Sequence, residues 1–338
     1  MLGGARGSNE DAFAWARLAH DVIGTGNVSA QLADGLPVGV LGLDRATIDE
    51  AANATTIVLL GPDLKEELPV LYLRLRDAAE KRRSRILEFT PKPSGLTRYA
   101  WKSVTYEPGT QARAVETALA DPEISAQLAK GNVVVVAGRA NLAETSVATI
   151  DALQLLLGSA PGTKVLPVFR RGNVVGALQL GLRPGRAGLD SKGILTAAAE
   201  GRIDCLILVG SDPLVDFPDA DLARRALAGA RRIISVDTFL TASSQRAHLV
   251  LPAAAYGEKA GTTTNIEGRV SRLSQKVTPR GTARPDWMIA SQIAHQLGTD
   301  FGYASVEDVT ASIPTIVPTY AGVTAESLLW ALWEASGV

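Results

Sequence analysis

Ile207-Leu208-Val209-Gly210-Ser211-Asp212 is an apolar run that breaks on a glycine and ends in a carboxylate, and Ile57-Val58-Leu59-Leu60-Gly61-Pro62-Asp63 has the same form. Each run is followed by a helical pattern with a proline near its start (Pro69, Pro218), then by paired arginines (Arg82-Arg83, Arg231-Arg232), then by a second apolar run ending in Thr90 or Thr238. The offset is 149 residues through the helix and 148 at the strand end. A strand, a glycine turn, a helix and a strand, occurring twice, predict an α/β protein of two Rossmann-like doubly wound domains with mainly parallel sheets. The plainer alternative is that βαβ units resemble one another without common design.

Working outward, further β-branched runs at Thr56–Leu60, Arg85–Phe89, Val133–Ala137, Lys164–Val168, Cys205–Val209, Ile233–Val236 and His248–Leu251 read as strands. Helical windows such as Pro69–Arg83 and Ala220–Ala230 lie between them, the alternation of a parallel sheet with crossovers. Pro108-Gly109-Thr110 and Lys130-Gly131-Asn132 interrupt the pattern, so the domains expected are 1–115 and 131–300, with a C-terminal extension at 301–338. A final helix is expected over Ala325–Ala335, and the glycine- and arginine-rich stretch Arg170–Ser191 reads as a long loop. Met1-Leu2-Gly3-Gly4 reads as the end of a strand cut short, as in a piece of a longer chain, with a helix starting near Ser8.

Composition narrows the chemistry. In 338 residues, 34 Lys and Arg against 35 Asp and Glu give a formal charge of −1, unlike a surface built for nucleic-acid phosphates or anionic lipid. No uncharged apolar stretch reaches the roughly 18 residues of a membrane span. The nearest, 311–325, carries Pro314 and Pro318. The one cysteine, Cys205, excludes an internal disulfide and a four-thiolate iron–sulfur cluster. In an apolar strand it reads as a core thiol. His20, His248 and His295 stand alone, without zinc-ligand spacing. No nucleophile–base pair or paired-carboxylate site is visible.

Three motifs have the chemistry of a ligand site. In doubly wound sheets ligands sit beyond the carboxyl ends of strands. Gly210 would let a backbone approach a ligand there and Asp212 would accept hydrogen bonds, unless Asp212 simply caps the next helix. Asp237 and Thr238 end the neighbouring strand, where the first repeat has Phe89-Thr90 and no acid. Gly261-Thr262-Thr263-Thr264-Asn265 presents short polar groups, of which Gly261, Thr262 and Asn265 are the candidates, and a β-hairpin with a polar turn reads equally from the same residues. It is not a phosphate loop. No residue is assigned to catalysis or to a metal.

Five segments together resemble the molybdopterin oxidoreductase superfamily: Leu208–Pro213, Ile234–Thr241, Val250–Ala254, Glu258–Arg269 and Arg284–Trp287, in that order over about eighty residues. Gly3–Arg6, Asn9-Glu10 and Gly24–Asn27 resemble its amino-terminal entry, and the likeness extends over about 1–300. Asn265-Ile266-Glu267-Gly268-Arg269 is most similar to the G subunit of NADH:quinone oxidoreductase, respiratory complex I. The resemblance implies a peripheral-arm protein on the cytoplasmic side of a bacterial inner membrane. Its partners would be other complex I subunits and a cluster-bearing amino-terminal segment outside this chain. Active superfamily members hold a molybdopterin guanine dinucleotide and ligate Mo or W. Here no cysteine lies near the first domain's amino-terminal end, and Thr90-Pro91-Lys92 replaces an Asp-Pro-Arg. The expectation is a structural domain with no cofactor in this chain, iron–sulfur clusters belonging to the missing segment. An active, formate dehydrogenase-like fragment holding molybdopterin is the alternative, and a free-nucleotide binding module a third.

Overall fold

The computed structural model describes residues 1–140, 144–323 and 333–334. The chain forms two compact units, one of Gly35–Arg170 and one of Met1–Asp34 with Arg171–Ser336.

The first unit is a five-stranded parallel sheet of β2 (Thr56–Leu60), β3 (Arg85–Thr90), β4 (Lys102–Thr105), β5 (Val133–Ala137) and β6 (Lys164–Pro167), numbered after β1 below. Their order is β4-β3-β2-β5-β6, so the winding reverses between β2 and β5. Every residue of those two central strands is buried, which is why they read as unbroken apolar runs. The helix Pro69–Lys81 starts on proline and buries Leu71, Leu75 and Ala78 at helical spacing. The helices Gln111–Leu119 and Pro122–Leu128 follow the edge strand β4.

The other unit carries a four-stranded parallel sheet, ordered β1 (Leu2–Gly3), β7 (Cys205–Val209), β8 (Arg232–Asp237) and β9 (Leu249–Pro252). Leu2, Leu206, Leu208 and Ile233 share a core with Ile194, Leu195 and Ala198 of the helix Ser191–Ala199 and with Ala223, Ala226 and Leu227 of the helix Ala220–Gly229. The alternation of Leu206 and Leu208 marks one face of the sheet. A hairpin of β10 (Gly261–Thr264) and β11 (Arg269–Leu273) completes the unit, with the two-residue β12 (Trp333–Glu334) antiparallel to β11.

The repeat is therefore real in form. Both copies fold as a strand, a one-turn helix (Leu64–Glu67, Pro213–Asp216), a long helix and a parallel strand, in different sheets. The domain limits 1–115 and 131–300 need correction. Leu2 pairs with Leu208, and Gly3 with Val209, so the amino terminus joins the second sheet. Val133–Ala137 pairs with Thr56–Leu60, so β5 and β6 belong to the first. Periodicity identifies a strand but not its partner, and the unit at 35–170 is an insertion between β1 and β7.

Three smaller readings also change. The helix Val174–Gln179 lies within the stretch read as a loop. Val174, Val175, Gly176, Ala177 and Leu178 are all buried, so it shows no polar face to betray its period. Cys205 is exposed at the first position of β7 rather than in the core. Trp333–Glu334 is strand, so the terminal helix does not run through it. The rest of Ala325–Ala335 lies outside the described residues.

Candidate functional site

The carboxyl ends of β1, β7, β8 and β9 converge on a crevice of about 70 Å³. Gly4, Gly210, Asp237, Thr238 and Ala253 line it from the strand ends, and Arg6, Tyr256, Lys259 and Asp286 close it. Gly210 turns the chain at φ +52°, a left-handed conformation that favours glycine. Its carbonyl accepts from Arg6 Nη1 at 2.9 Å, while Arg6 Nη2 meets Asp216 Oδ2 at 2.8 Å. Asp237 is half-buried and its Oδ1 accepts from the Phe239 amide at 3.3 Å. Burial raises its pKa, opposed by that hydrogen bond and the nearby Arg6 charge.

Lys259 is the electrostatic centre. Its side chain is 3% exposed and its Nζ lies 2.6 Å from Asp11 Oδ2 and 2.7 Å from Asp286 Oδ2. Burial pulls the ammonium down, but the two carboxylates outweigh it and hold Lys259 above the ordinary lysine range. Burial pushes Asp286 up, partly offset by Lys259. Asp11 is fixed on the first turn of α1 (Asn9–Arg17) by a capping box. Ser8 Oγ accepts from the Asp11 amide at 3.1 Å, and the Ser8 amide donates to Asp11 Oδ2 at 2.9 Å. Asp11 Oδ1 also accepts from the Trp287 amide at 3.0 Å.

The neighbouring residues of α1 clasp the hairpin. Glu10, fully buried, accepts from the Thr262 amide at 2.7 Å and from the Thr262 and Thr310 hydroxyls at 2.9 Å each. Burial raises its pKa, against these hydrogen bonds. Asn9 Nδ2 donates to both Thr262 and Thr264 hydroxyls at 3.0 Å.

The residues singled out in the sequence thus separate into three groups. Gly210, Asp237 and Thr238 line the crevice. Asp212 stands on the adjoining loop, where its Oδ1 accepts from the Ser243 amide at 3.2 Å and from the Ser243 hydroxyl; its side chain does not cap the helix that follows. Gly261, Thr262 and Asn265 are outside the crevice lining. Gly261 is glycine because a Cβ there would lie 3.0 Å from Ser8 Cβ and close to Glu10 Oε2. Asn265 Oδ1 accepts from the amides of Glu267 and Arg269 at 2.9 Å each, closing the hairpin turn. Sequence reasoning missed Arg6, Asp11, Lys259 and Asp286 as site residues. Their signal was their place inside the segments Gly3–Arg6, Glu258–Arg269 and Arg284–Trp287, with Asp11 directly after Asn9-Glu10.

The crevice does not fit a pterin dinucleotide. Its volume of about 70 Å³ falls well short of the roughly 300–1,000 Å³ of an ordinary ligand pocket. Arg6 and Lys259, which could meet a phosphate, already face carboxylates of the protein. Cys205 begins β7 and the crevice lies beyond its last residue, so the one thiol is at the wrong end of the strand to ligate a metal there. Among the described residues no group of three or more His, Cys, Asp or Glu is placed to hold a metal ion. No helix among them is long and apolar enough to cross a membrane.

Parallel α/β units with a crevice at the strand ends define the class as Rossmann-like. The molybdopterin oxidoreductase family model matches residues 2–296, and the chain belongs to that family. It is 26% identical over 404 residues to the NADPH-Fe(3+) oxidoreductase subunit alpha of Geobacter sulfurreducens, with 95% of this chain and 48% of that protein covered. It is 27% identical over 391 residues to the second G subunit of NADH-quinone oxidoreductase from Rhizobium meliloti (95% and 46%). With the F420-dependent formate dehydrogenase 1 subunit alpha of Methanococcus maripaludis it shares 26% identity over 411 residues (96% and 61%). The chain spans about half the length of the curated relatives it matches. Acetylene hydratase from Pelobacter acetylenicus shares the fold, with a TM-score of 0.53 at 13% identity over 94% of this chain and 54% of that one.

Proposed function

We propose that this chain is the molybdopterin oxidoreductase-type domain of a G subunit of NADH:quinone oxidoreductase, serving as structure in the arm that passes electrons from NADH to quinone. The observation that carries the non-catalytic reading is the self-satisfied crevice: its cations are paired with Asp11, Asp216 and Asp286, and its volume admits water rather than a nucleotide. The likeness to the G subunit from Rhizobium meliloti supports the assignment. In this reading the iron–sulfur clusters belong to polypeptide outside these 338 residues. The partners are that segment and the neighbouring subunits, and the location is the cytoplasmic face of a bacterial inner membrane, as a peripheral protein.

The test is metal and pterin content of the full subunit produced with its neighbours in a pterin-competent host. We expect co-purification with the NADH-oxidising subunits and neither Mo, W nor pterin at a stoichiometric level. One Mo or W with pterin per chain would overturn the structural reading. It would favour the second one, an enzyme like the formate dehydrogenase relative, for which Asp237 and Thr238 at the crevice are the observation in favour.

A further inference from the structure

The hairpin and the helix Val306–Ile316 flank a cavity of about 430 Å³, within the roughly 300–1,000 Å³ of an ordinary ligand pocket. Thr262 stands opposite Arg272 in the hairpin register, so the two side chains leave the same face of the strand pair, and both line the cavity. From the helix, Val306, Thr310 and Pro314 line it at a spacing of four residues, with Glu307 and Ala311 beside them. Leu273 and Val323 add hydrocarbon.

The helix side is rich in acceptors. Pro314 lies inside the helix and has no N–H, so the Thr310 carbonyl one turn earlier loses its helical partner on the face that lines the cavity. Behind the wall is Glu10, whose Oε1 accepts from the Thr262 and Thr310 hydroxyls at 2.9 Å each. Glu10 is fully buried, and among the described residues no cation pairs with its carboxyl. Glu307 adds an exposed carboxylate at the rim, and Arg272, also exposed, is the cation of the lining. Among the described residues neither of these two side chains has an ion-pair partner, so opposite charges share one cavity without meeting.

We infer that this cavity is a binding site for a free α-amino acid with an apolar side chain. The ammonium group goes to the Thr310 carbonyl and Glu307, the carboxylate to Arg272, and the side chain against Leu273, Val306 and Val323. Ligands of other charge meet only part of the lining. An amine leaves Arg272 without a partner, and a carboxylic acid sets its charge beside Glu307 and in front of Glu10. A purely apolar ligand takes water from both rim charges and returns no hydrogen bond. The inference rests on the cavity alone and does not depend on the assignment to complex I.

The experiment titrates the complete chain by calorimetry with L-leucine, L-methionine and L-phenylalanine. It then uses the amine and the carboxylic acid that keep the best binder's side chain and lose one charged group each (3-methylbutylamine and 4-methylpentanoate for leucine). We expect saturable one-to-one binding of an amino acid at submillimolar concentration, and binding of its amine and its acid at least tenfold weaker. Arg272→Gln should weaken the amino acid at least tenfold and leave the amine unchanged, whereas Glu307→Gln should weaken both. Ala311→Trp, at an exposed helical position, fills the cavity and should abolish binding. Each variant should keep the wild-type melting temperature within a few degrees. The wild-type comparison of the amino acid with its amine and acid stays decisive if a variant fails to fold. Failure of all three amino acids to bind, an amine or acid that binds as well as its amino acid, or binding indifferent to Ala311→Trp would overturn the inference.

Discussion

The two parallel sheets close their carboxyl ends in opposite ways. In the five-stranded sheet the winding reverses between β2 and β5, where an open α/β sheet ordinarily leaves its crevice. That point is plugged with hydrocarbon: a Cβ on Gly138 would collide with Val168 Cγ2 and lie 2.9 Å from Pro62 Cδ. In the four-stranded sheet the strand ends remain polar, and buried ion pairs do the closing. An apolar plug needs only shape. A charged one needs every partner present, because a buried charge left alone is far costlier than a small void. The comparison therefore predicts where substitution hurts most.

The largest effect is expected at Lys259→Met, which leaves Asp11 and Asp286 buried without their cation. Urea unfolding should show a loss of about 3–5 kcal/mol, with part recovered by adding Asp286→Asn. A loss under about 1 kcal/mol, the value of an exposed pair, would show that water reaches the triad and that the contrast between the sheets is false. Next is Gly138→Ala, where overpacking should cost about 1–3 kcal/mol, relieved when Val168→Ala is combined with it. Thr262→Val, which removes a hydroxyl donor from buried Glu10, belongs in the same range of about 1–3 kcal/mol.

Gly210→Ala is smaller. Its Cβ would meet nothing within 4 Å, so only the left-handed backbone opposes it, at about 1 kcal/mol. A larger loss would mean that the crevice is tighter than its geometry. The subtlest test is pH. Burial lifts Glu10 above its ordinary value, so the folded state holds that proton more tightly than the unfolded chain. Its contribution favours folding below the unfolded value of about 4.3 and declines as pH rises through the folded pKa. In Glu10→Gln that decline disappears, so the stability difference between wild type and variant should shrink or change sign between acid and neutral pH. A constant difference across that range would show that Glu10 titrates normally.

These contrasts also mark what the sequence could reveal. Thr56–Leu60, Val133–Ala137 and Cys205–Val209 were legible to the residue, because strands buried on both faces are written as short apolar runs. Which sheet each run joins was not legible, since Val133–Ala137 would fit either. At the site, the strand-end rule located Gly210, Asp237 and Thr238. It could not find the ion triad, because Asp11 and Lys259 are brought together by tertiary folding and no spacing links them. The hydroxyl run lies away from the crevice, and Gly261 and Thr262 line a separate cavity of about 430 Å³. Thr262 and Asn265 have the chemistry of ligand contacts, and the fold uses it on Glu10 and on a hairpin turn.

The pairing of Leu2 with Leu208 has a consequence for how the molecule is made. At roughly 5–20 residues per second of synthesis, β1 leaves the ribosome roughly 10–40 s before its partner strand exists. The insertion at 35–170 is complete in that interval and is free to fold as a unit. The frame sheet must then form by bringing together the two flanks of an already ordered segment. That order lowers the closure cost, since a folded insert is a far shorter effective loop than roughly 200 disordered residues. A truncated chain ending before Cys205 should accordingly keep a folded insertion and leave Leu2 without its partner strand, a half-built sheet with an apolar edge.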